Sequence, residues 1–212
     1  MSMYMLRLLV VLAIAAFALS SAATESERIV SAAKSMVGKH IYSYGGGNNF
    51  GPTKGEMSPY SPYCNDTQVV GFDCSGLAKY SVFQGTNISI RHRVQLQHTN
   101  CPNLLNYEDR KPGDLLFYGV NTSSITHVAI YIGDDQMVEA PGHFSNCTGK
   151  LMQLVPVRTT KLIGTICRMW HEEPQPSPSS SAPSTVESFG MNAGPSLFIV
   201  ALCSSVFLLF FR

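Results

Sequence analysis

The order of two hydrophobic patterns along the chain constrains the fold more than any other feature. Apolar residues recur at helical spacing from Ile29 to Val37. Just before them, Thr24 and Glu27 have the spacing of a capping box, with Thr24 as N-cap and Glu27 at N3. A second helix is predicted from about Cys74 to Gln84, with Asp73 as its N-cap and Gly85 as its stop. The first half of the central region is therefore predicted to be helical.

After residue 110 the pattern changes to short apolar runs separated by turn residues, which is typical of strands. A short helix near 91–98 precedes the runs, which are Leu115–Tyr118, His127–Ile132, Gln136–Ala140, Leu151–Val157 and Leu162–Met169. Helices followed by strands predict an α+β fold with an antiparallel sheet rather than a doubly wound parallel sheet. Glycines predict a loop at 42–47, and Gly and Pro predict an irregular insertion at 48–64.

The two ends of the chain differ from the region between them. An apolar run at 8–19 is too short to span a bilayer and is followed by small residues, so 1–22 are predicted to be a signal peptide, with a signal anchor as the alternative. Residues 174–194 are predicted to form a Pro/Ser-rich stalk, and 195–212 a hydrophobic tail. The tail is interpreted as a glycolipid (GPI) anchor signal or a membrane segment. The folded domain is then 23–173.

Cysteine and sequon counts predict an oxidising compartment. The domain holds five cysteines, so four can pair in one of three connectivities while one stays free. Cys74 is predicted to be the free thiol, and the disulfide candidates are Cys64, Cys101, Cys147 and Cys167. Four glycosylation acceptors, at Asn65, Asn87, Asn121 and Asn146, predict a eukaryotic secretory route and an extracellular or cell-surface location.

Charge and cysteine spacing argue against several classes of partner. The formal net charge is +1, and no basic run extends beyond Arg91–Arg93, so nucleic acid is not an expected partner. No C-x-x-C spacing occurs, which argues against a zinc site. We predict no metal and no cofactor, and the sequence gives no indication of the oligomeric state.

Cys74 and His127 are the candidates for nucleophilic catalysis. A cysteine in the first turn of a helix meets the positive end of the macrodipole, which favours a thiolate, and its backbone amide is free to bind an oxyanion. An imidazole at the head of a strand could complete the pair as base and acid. The hairpin that follows brings Glu139 within a rung or two of His127, where its carboxylate could orient the ring, and His143 is a competing orienter.

Four sequence blocks resemble the NlpC-type cysteine peptidases, which are bacterial cell-wall endopeptidases. The blocks stand in the family's order and at fitting distances, and they are Gly38–Gly46, Phe72–Leu77, Pro112–Phe117 and His127–Gly133. The likeness extends over roughly 25–169, with no clear counterpart to the insertion at 48–64. The resemblance implies a compact papain-like fold, in which N-terminal helices pack on an antiparallel sheet.

The resemblance also implies roles for individual residues. Cys74 matches the nucleophile and His127 the base. Glu139 matches the third polar position, where the family most often has histidine. Tyr42 and Asp73 match positions that touch the substrate in some relatives, and Ser75 matches a position beside the nucleophile; these three are the substrate-binding candidates.

The resemblance implies hydrolysis of bacterial peptidoglycan stem peptides after γ-D-glutamate, and the two ends of the chain predict a secreted enzyme held to a membrane by its C-terminal anchor. A chain from a eukaryote would act on bacterial wall fragments rather than on a wall of its own. Two other functions remain open: an amidase or acyltransferase with the same Cys-His machinery, and a non-catalytic module that binds the cell wall.

Overall fold

The computed structural model describes residues 23–60 and 63–172. The predicted signal peptide, stalk and tail lie outside these residues. Three helices precede most of the strands: α1 Glu25–Met36, α2 Cys74–Thr86 and α3 Val94–Thr99. The strands are β1 Ile41–Tyr42, β2 Thr53–Lys54, β3 Val70–Phe72, β4 Leu104–Asn106, β5 Leu115–Asn121, β6 Ser124–Gly133, β7 Gln136–Glu139, β8 Gln153–Pro156 and β9 Leu162–Cys167, with a 3₁₀ turn at Tyr107–Asp109.

Six of the strands form one antiparallel sheet in the order β4-β9-β5-β6-β7-β8. Alternate side chains of β6 face opposite sides: Val128 and Ile130 pack with the helices, and Ala129 and Tyr131 pack on the other face. β1, β2 and β3 form a second, small sheet in which β1 and β3 are parallel. The predicted α+β fold is confirmed.

The helix starts follow the sequence closely, whereas one predicted helix end is wrong. At the start of α1 the backbone N–H of Glu27 donates to the Thr24 hydroxyl at 3.2 Å, and the Glu27 carboxylate accepts from the N–H of Thr24 at 2.9 Å. Gly85 lies inside α2 rather than ending it. A Cβ there would lie 2.3 Å from a side-chain carbon of Ile29, so glycine permits the close contact between α1 and α2. The helix ends instead at Thr86, and its C-cap Asn87 has a left-handed φ of 61°.

The other differences concern the starts of two elements and the presence of short strands. α3 begins at Val94, three residues later than predicted, and β6 begins at Ser124, so His127 lies inside the strand rather than at its head. Tyr42, predicted to be in a loop, belongs to β1. The insertion at 48–64, predicted to be irregular, contributes β2 to the small sheet. Strands of two or three residues are too short to show a periodic pattern.

Two disulfides fix the loops around the sheet. Cys64 pairs with Cys147 and Cys101 pairs with Cys167, which is one of the three connectivities that the sequence allowed. The first bond joins the insertion to the loop between β7 and β8. Cys74 is the free cysteine of the described residues. None of the helices in the described ranges has both the length and the apolarity that a bilayer crossing needs.

Candidate active site

Cys74 is placed by the junction of a buried strand and a capped helix. Phe72, at the end of β3, is fully buried, and Asp73 has the extended backbone of an N-cap. The Asp73 carboxylate accepts hydrogen bonds from the N–H of Gly76 at 2.6 Å and from the Ser75 hydroxyl at 2.9 Å. Cys74 is therefore the first residue of α2, it is partly exposed, and its amide has no intrahelical acceptor.

Asp73 also contacts two other parts of the site, the loop after β1 and the segment before α3. Its second oxygen accepts from the N–H of Gly45 at 3.0 Å, and the His92 imidazole lies 3.0 Å from its first oxygen. The two substrate-binding candidates Asp73 and Ser75 are thus close to Cys74, but both are mostly buried and already hydrogen-bonded. His92 was not predicted, because it stands 19 residues away in an irregular segment with no periodic signal.

His127 and Glu139 meet across the hairpin of β6 and β7. The register pairs Ile130 with Val138, and it brings the His127 Nε2 atom to 2.7 Å from a carboxylate oxygen of Glu139. Glu139 is only 1% exposed. Because Nε2 faces the carboxylate, Nδ1 is the ring nitrogen that remains for the thiol of Cys74, which is close enough to raise the pKa of the imidazole.

The electrostatics of this chain favour a charged imidazole. Burial is the largest single influence on His127 and lowers its pKa, but hydrogen bonds to Cys74 and Glu139 together outweigh burial and raise the pKa to about 9. Burial raises the pKa of Glu139, yet hydrogen bonds from Arg158, His127 and Gln153 hold that pKa well below its usual range. The pair is therefore an imidazolium and a carboxylate at neutral pH.

Two further residues hold the Glu139 carboxylate, and neither was predicted. Arg158 donates to both carboxylate oxygens at 2.6 Å, and the Gln153 amide donates to one of them at 2.8 Å. Both residues come from β8 or the segment that follows it. The sequence holds no signal for these contacts, because they join positions 14 and 19 residues from Glu139.

His143, the competing orienter, lies elsewhere. Its Nε2 atom is 2.7 Å from the Asp66 carboxylate, and its ring stands edge-on to Tyr42 with centroids 4.8 Å apart. The structure thus brings Glu139, and not His143, to the imidazole of His127. Burial is the main cause that raises the pKa of Tyr42, with the nearby Cys74 second, so the Tyr42 phenol stays protonated and can donate.

Cys74 lines a cleft with a volume of about 770 Å³. One wall comes from β1, the following loop and the insertion, and the other comes from the start of α3 and from β6. The lining side chains include Tyr42, Tyr44, Glu56, Tyr60, His92, Arg93, Gln95, Thr126 and His143. A volume of this size is in the range of sites that hold a small ligand or a short peptide.

The positions of the predicted glycosylation acceptors can be read from the structure. All four sequon asparagines, Asn65, Asn87, Asn121 and Asn146, are exposed, which glycosylation requires. Within 23–60 and 63–172, no group of three metal-ligating side chains is close enough to hold an ion.

Comparison with known proteins agrees with this geometry. A sequence profile of the NlpC/P60 family matches residues 38–155. The peptidoglycan endopeptidase RipA of Mycobacterium tuberculosis is 38% identical over 143 residues, which are 68% of this chain and 27% of that protein. A gamma-DL-glutamyl hydrolase of Bacillus subtilis is 36% identical over 125 residues, which are 58% of this chain and 25% of that protein. The chain thus spans about a quarter of the length of these relatives.

Solved structures give the same result. The peptidoglycan hydrolase RipB of M. tuberculosis is similar with a TM-score of 0.57 and 32% identity, over 70% of this chain and 66% of that one. RipD of M. tuberculosis, described as a non-catalytic NlpC/p60 domain protein, is similar with a TM-score of 0.56 and 26% identity, over 69% of this chain and 98% of that one.

Solved RipA variants bear on the third polar position. RipA was mutated at a cysteine, a histidine and a glutamate, and that histidine and glutamate are 12 residues apart, as His127 and Glu139 are here. A glutamate at this spacing therefore also occurs in RipA. From the profile match, the fold and these relatives, the chain belongs to the NlpC/P60 family.

Proposed function

We propose that the protein hydrolyses γ-D-glutamyl peptide bonds in the stem peptides of bacterial peptidoglycan, through a thiolate nucleophile and an acyl-enzyme. The observation that carries the proposal is the placement of Cys74 in the lining of an open cleft, near an imidazole of His127 that is hydrogen-bonded to Glu139. A thiol, an imidazole and a carboxylate in this order are the parts that nucleophilic acyl transfer needs.

In the proposed reaction the Cys74 thiolate attacks the scissile carbonyl carbon, and the carbonyl oxygen becomes an oxyanion. The free amide of Cys74, at the start of α2, donates to that oxyanion. The imidazolium of His127 gives its Nδ1 proton to the leaving amine as the C–N bond breaks, which leaves a thioester. The neutral imidazole then takes a proton from water, the resulting hydroxide attacks the thioester, and the peptide acid leaves as the thiolate is restored.

The substrate is inferred from the relatives. RipA and RipB are peptidoglycan hydrolases by name, and the Bacillus subtilis relative is a gamma-DL-glutamyl hydrolase. Because the chain spans only a part of these relatives, their whole activities are not carried over. The cleft itself supports a peptide with polar groups, since Glu56 and Arg93 line it without an ion-pair partner among the described residues.

Digestion of peptidoglycan tests the proposal. The purified protein is incubated with sacculi and with defined muropeptides, and fragments are weighed by mass spectrometry. Cleavage after γ-D-glutamate is expected, with loss of release in Cys74→Ala and no loss in the control Ser31→Ala, which changes an exposed position on α1. Release that survives in Cys74→Ala contradicts the mechanism.

RipD supports a second candidate, a module that binds peptidoglycan without cutting it. This candidate predicts that sacculi sediment with the protein and stay intact. It also predicts that Cys74 reacts with iodoacetamide no faster than a model thiol. A thioester trapped at Cys74 from a non-peptidoglycan amide would instead favour an amidase or acyltransferase.

We further propose that the protein reaches the cell surface through the secretory pathway and is held there by its C-terminal tail, in a eukaryotic host. Two disulfides and four exposed sequon asparagines support an oxidising route. A mass decrease after glycosidase treatment and release of the protein by phospholipase C are the expected results. Protein without glycans that stays intracellular contradicts this location.

A further inference from the structure

We propose that Arg158 is a positioning residue of the same catalytic site, which sets the charge of the His127–Glu139 pair and thereby the pH range of the enzyme. The inference rests on the proposed function for its kinetic test. Its geometry is independent of the substrate, because Arg158 is not among the side chains that line the cleft.

The contacts of Arg158 are those of a clamp. Its two terminal nitrogens each donate to a different oxygen of Glu139 at 2.6 Å, which is the bidentate geometry that gives strong, orientation-specific pairs. One of those oxygens also lies 2.7 Å from the His127 imidazole. The carboxylate is therefore shared between a permanent cation and the imidazolium, and it cannot rotate away from the ring without breaking the clamp.

Burial makes polar partners necessary for the Glu139 carboxylate, and Arg158 shares that role with the imidazolium of His127 and the amide of Gln153, which remain when Arg158 is removed. Glu139 is 1% exposed, so an ionised carboxylate there needs full hydrogen bonding to offset its lost hydration. The Arg158 side chain is 46% exposed and keeps its own contact with water. Arg158 thus supplies positive charge to a buried group at a smaller desolvation cost than a buried cation would have.

The other groups that face the pair do not supply that charge. From β5, the Tyr118 ring lies 5.2 Å from the guanidinium and 5.8 Å from the imidazole; burial raises the pKa of Tyr118 to about 12, so the phenol is neutral. From α2, the group that faces the imidazole is the thiol of Cys74, which carries no positive charge. Beyond the thiol, Tyr42 is a neutral phenol and Asp73 is paired with His92. Arg158 is the fixed cation of this set.

The consequence concerns how strongly His127 holds its proton. A carboxylate shared with Arg158 stabilises the imidazolium less than an unshared one, because the guanidinium opposes a second positive charge nearby. Removal of the guanidinium leaves the whole negative charge to His127. The imidazolium then persists to higher pH and gives its proton to the leaving amine less readily.

The test compares Arg158→Gln and Arg158→Lys with the parent protein in the full chain. In Arg158→Gln we expect kcat to fall about tenfold, KM to stay unchanged, and the alkaline limb of the pH–rate profile to move up by about half to one pH unit. Arg158→Lys keeps the charge, so its alkaline limb should stay in place. Titration of the His127 ring by NMR, which needs no substrate, should show the same displacement in Arg158→Gln.

Arg110→Gln is the matched control, because Arg110 also pairs with a carboxylate, Asp135 at 2.6 Å, and lies over the ring of Tyr107, but away from the cleft. It should leave the pH profile and the His127 titration in place. An unmoved or lowered His127 titration in Arg158→Gln overturns the proposal, as does a change in KM alone. If that variant does not fold, a displaced titration in Arg158→Lys overturns it instead. If peptidoglycan is not cleaved but the NMR displacement occurs, only the proposed substrate fails.

Discussion

Two buried carboxylates in the described part of the chain, Asp114 and Glu139, are held by arginines, and they differ in what else they touch. Asp114 is fully buried and accepts two hydrogen bonds from Arg168, which is itself only 5% exposed. Glu139 is equally buried, but its arginine, Arg158, reaches solvent, and one of its oxygens faces His127. The carboxylate–arginine pair is therefore shielded from solvent at Asp114, whereas at Glu139 it reaches solvent through Arg158 and contacts the imidazole of His127.

Their titration differs accordingly. Burial outweighs the hydrogen bonds at Asp114 and raises its pKa, whereas at Glu139 the bonds from Arg158, His127 and Gln153 outweigh burial and lower the pKa. An ion pair that is shielded from water can help to specify the fold, but its desolvation costs free energy. A charge that keeps a hydrated partner stays ionised and can act on a neighbouring imidazole.

Loss of the Asp114 carboxylate should have the largest effect on stability. Asp114→Ala leaves Arg168 buried without its main partner, so we expect the free energy of unfolding to fall by about 3–5 kcal/mol. Denaturant unfolding measures the change. The kcat of the protein that remains folded should be unchanged, and a large loss of kcat at constant stability would break the comparison.

Loss of the Glu139 carboxylate should mainly lower activity. Glu139→Gln removes the charge that supports the imidazolium, so we expect kcat to fall about 100-fold. Because Arg158 can be hydrated when its partner is gone, the unfolding free energy should fall by less than in Asp114→Ala. Steady-state kinetics and unfolding curves on both variants give the two effects side by side.

The pH dependence of stability should separate the contributions of Glu139 and His127 within the second site. The folded pKa of Glu139 lies below its unfolded value of 4.5, so its contribution is present above that pH and is lost as the pH falls further. The folded pKa of His127 is raised from 6.5 to about 9, so its contribution is complete below 6.5 and is lost as the pH rises through 9. Unfolding curves between pH 3 and 10 should flatten on the acid side in Glu139→Gln and on the alkaline side in His127→Gln.

The smallest effects are expected from the neutral donors to each carboxylate. Trp170 donates to Asp114 at 3.0 Å and Gln153 donates to Glu139 at 2.8 Å. Trp170→Phe should lower the unfolding free energy by about 1 kcal/mol, since one hydrogen bond is lost. Gln153→Met should lower kcat a few fold and leave KM in place. A loss of stability with no loss of kcat in Gln153→Met would mean that both pairs are structural.

The sequence predicted the parts of the site that depend on local spacing. Cys74 follows its capping residue directly, and His127 and Glu139 belong to one hairpin, so a turn of known length brings them together. The sequence did not predict Arg158 or His92, because their contacts depend on how β8 and the segment before α3 pack in three dimensions. An isolated arginine or histidine has no period or motif that indicates its partner.

For the fold, as for the site, the sequence predicted the elements that have a local pattern and missed those that depend on tertiary contacts. The long strands and the starts of α1 and α2 show in the apolar pattern, whereas β1 and β2, with two residues each, show no pattern. Gly85 misled the prediction, since a glycine near a helix end is usually a stop. Here it serves the contact with Ile29, and that tertiary reason is absent from the local sequence.

The bond between Cys64 and Cys147 determines how the protein must be produced. It ties the insertion that carries Glu56 and Tyr60 to the loop that carries His143, across 83 residues of chain. That wall is completed by oxidation and not by hydrophobic packing alone. In protein made in a reducing bacterial cytoplasm this disulfide would not form, so the sheet and Cys74 would be present but one wall of the cleft would not be held in place. Substrate specificity should therefore be measured on protein from an oxidising host.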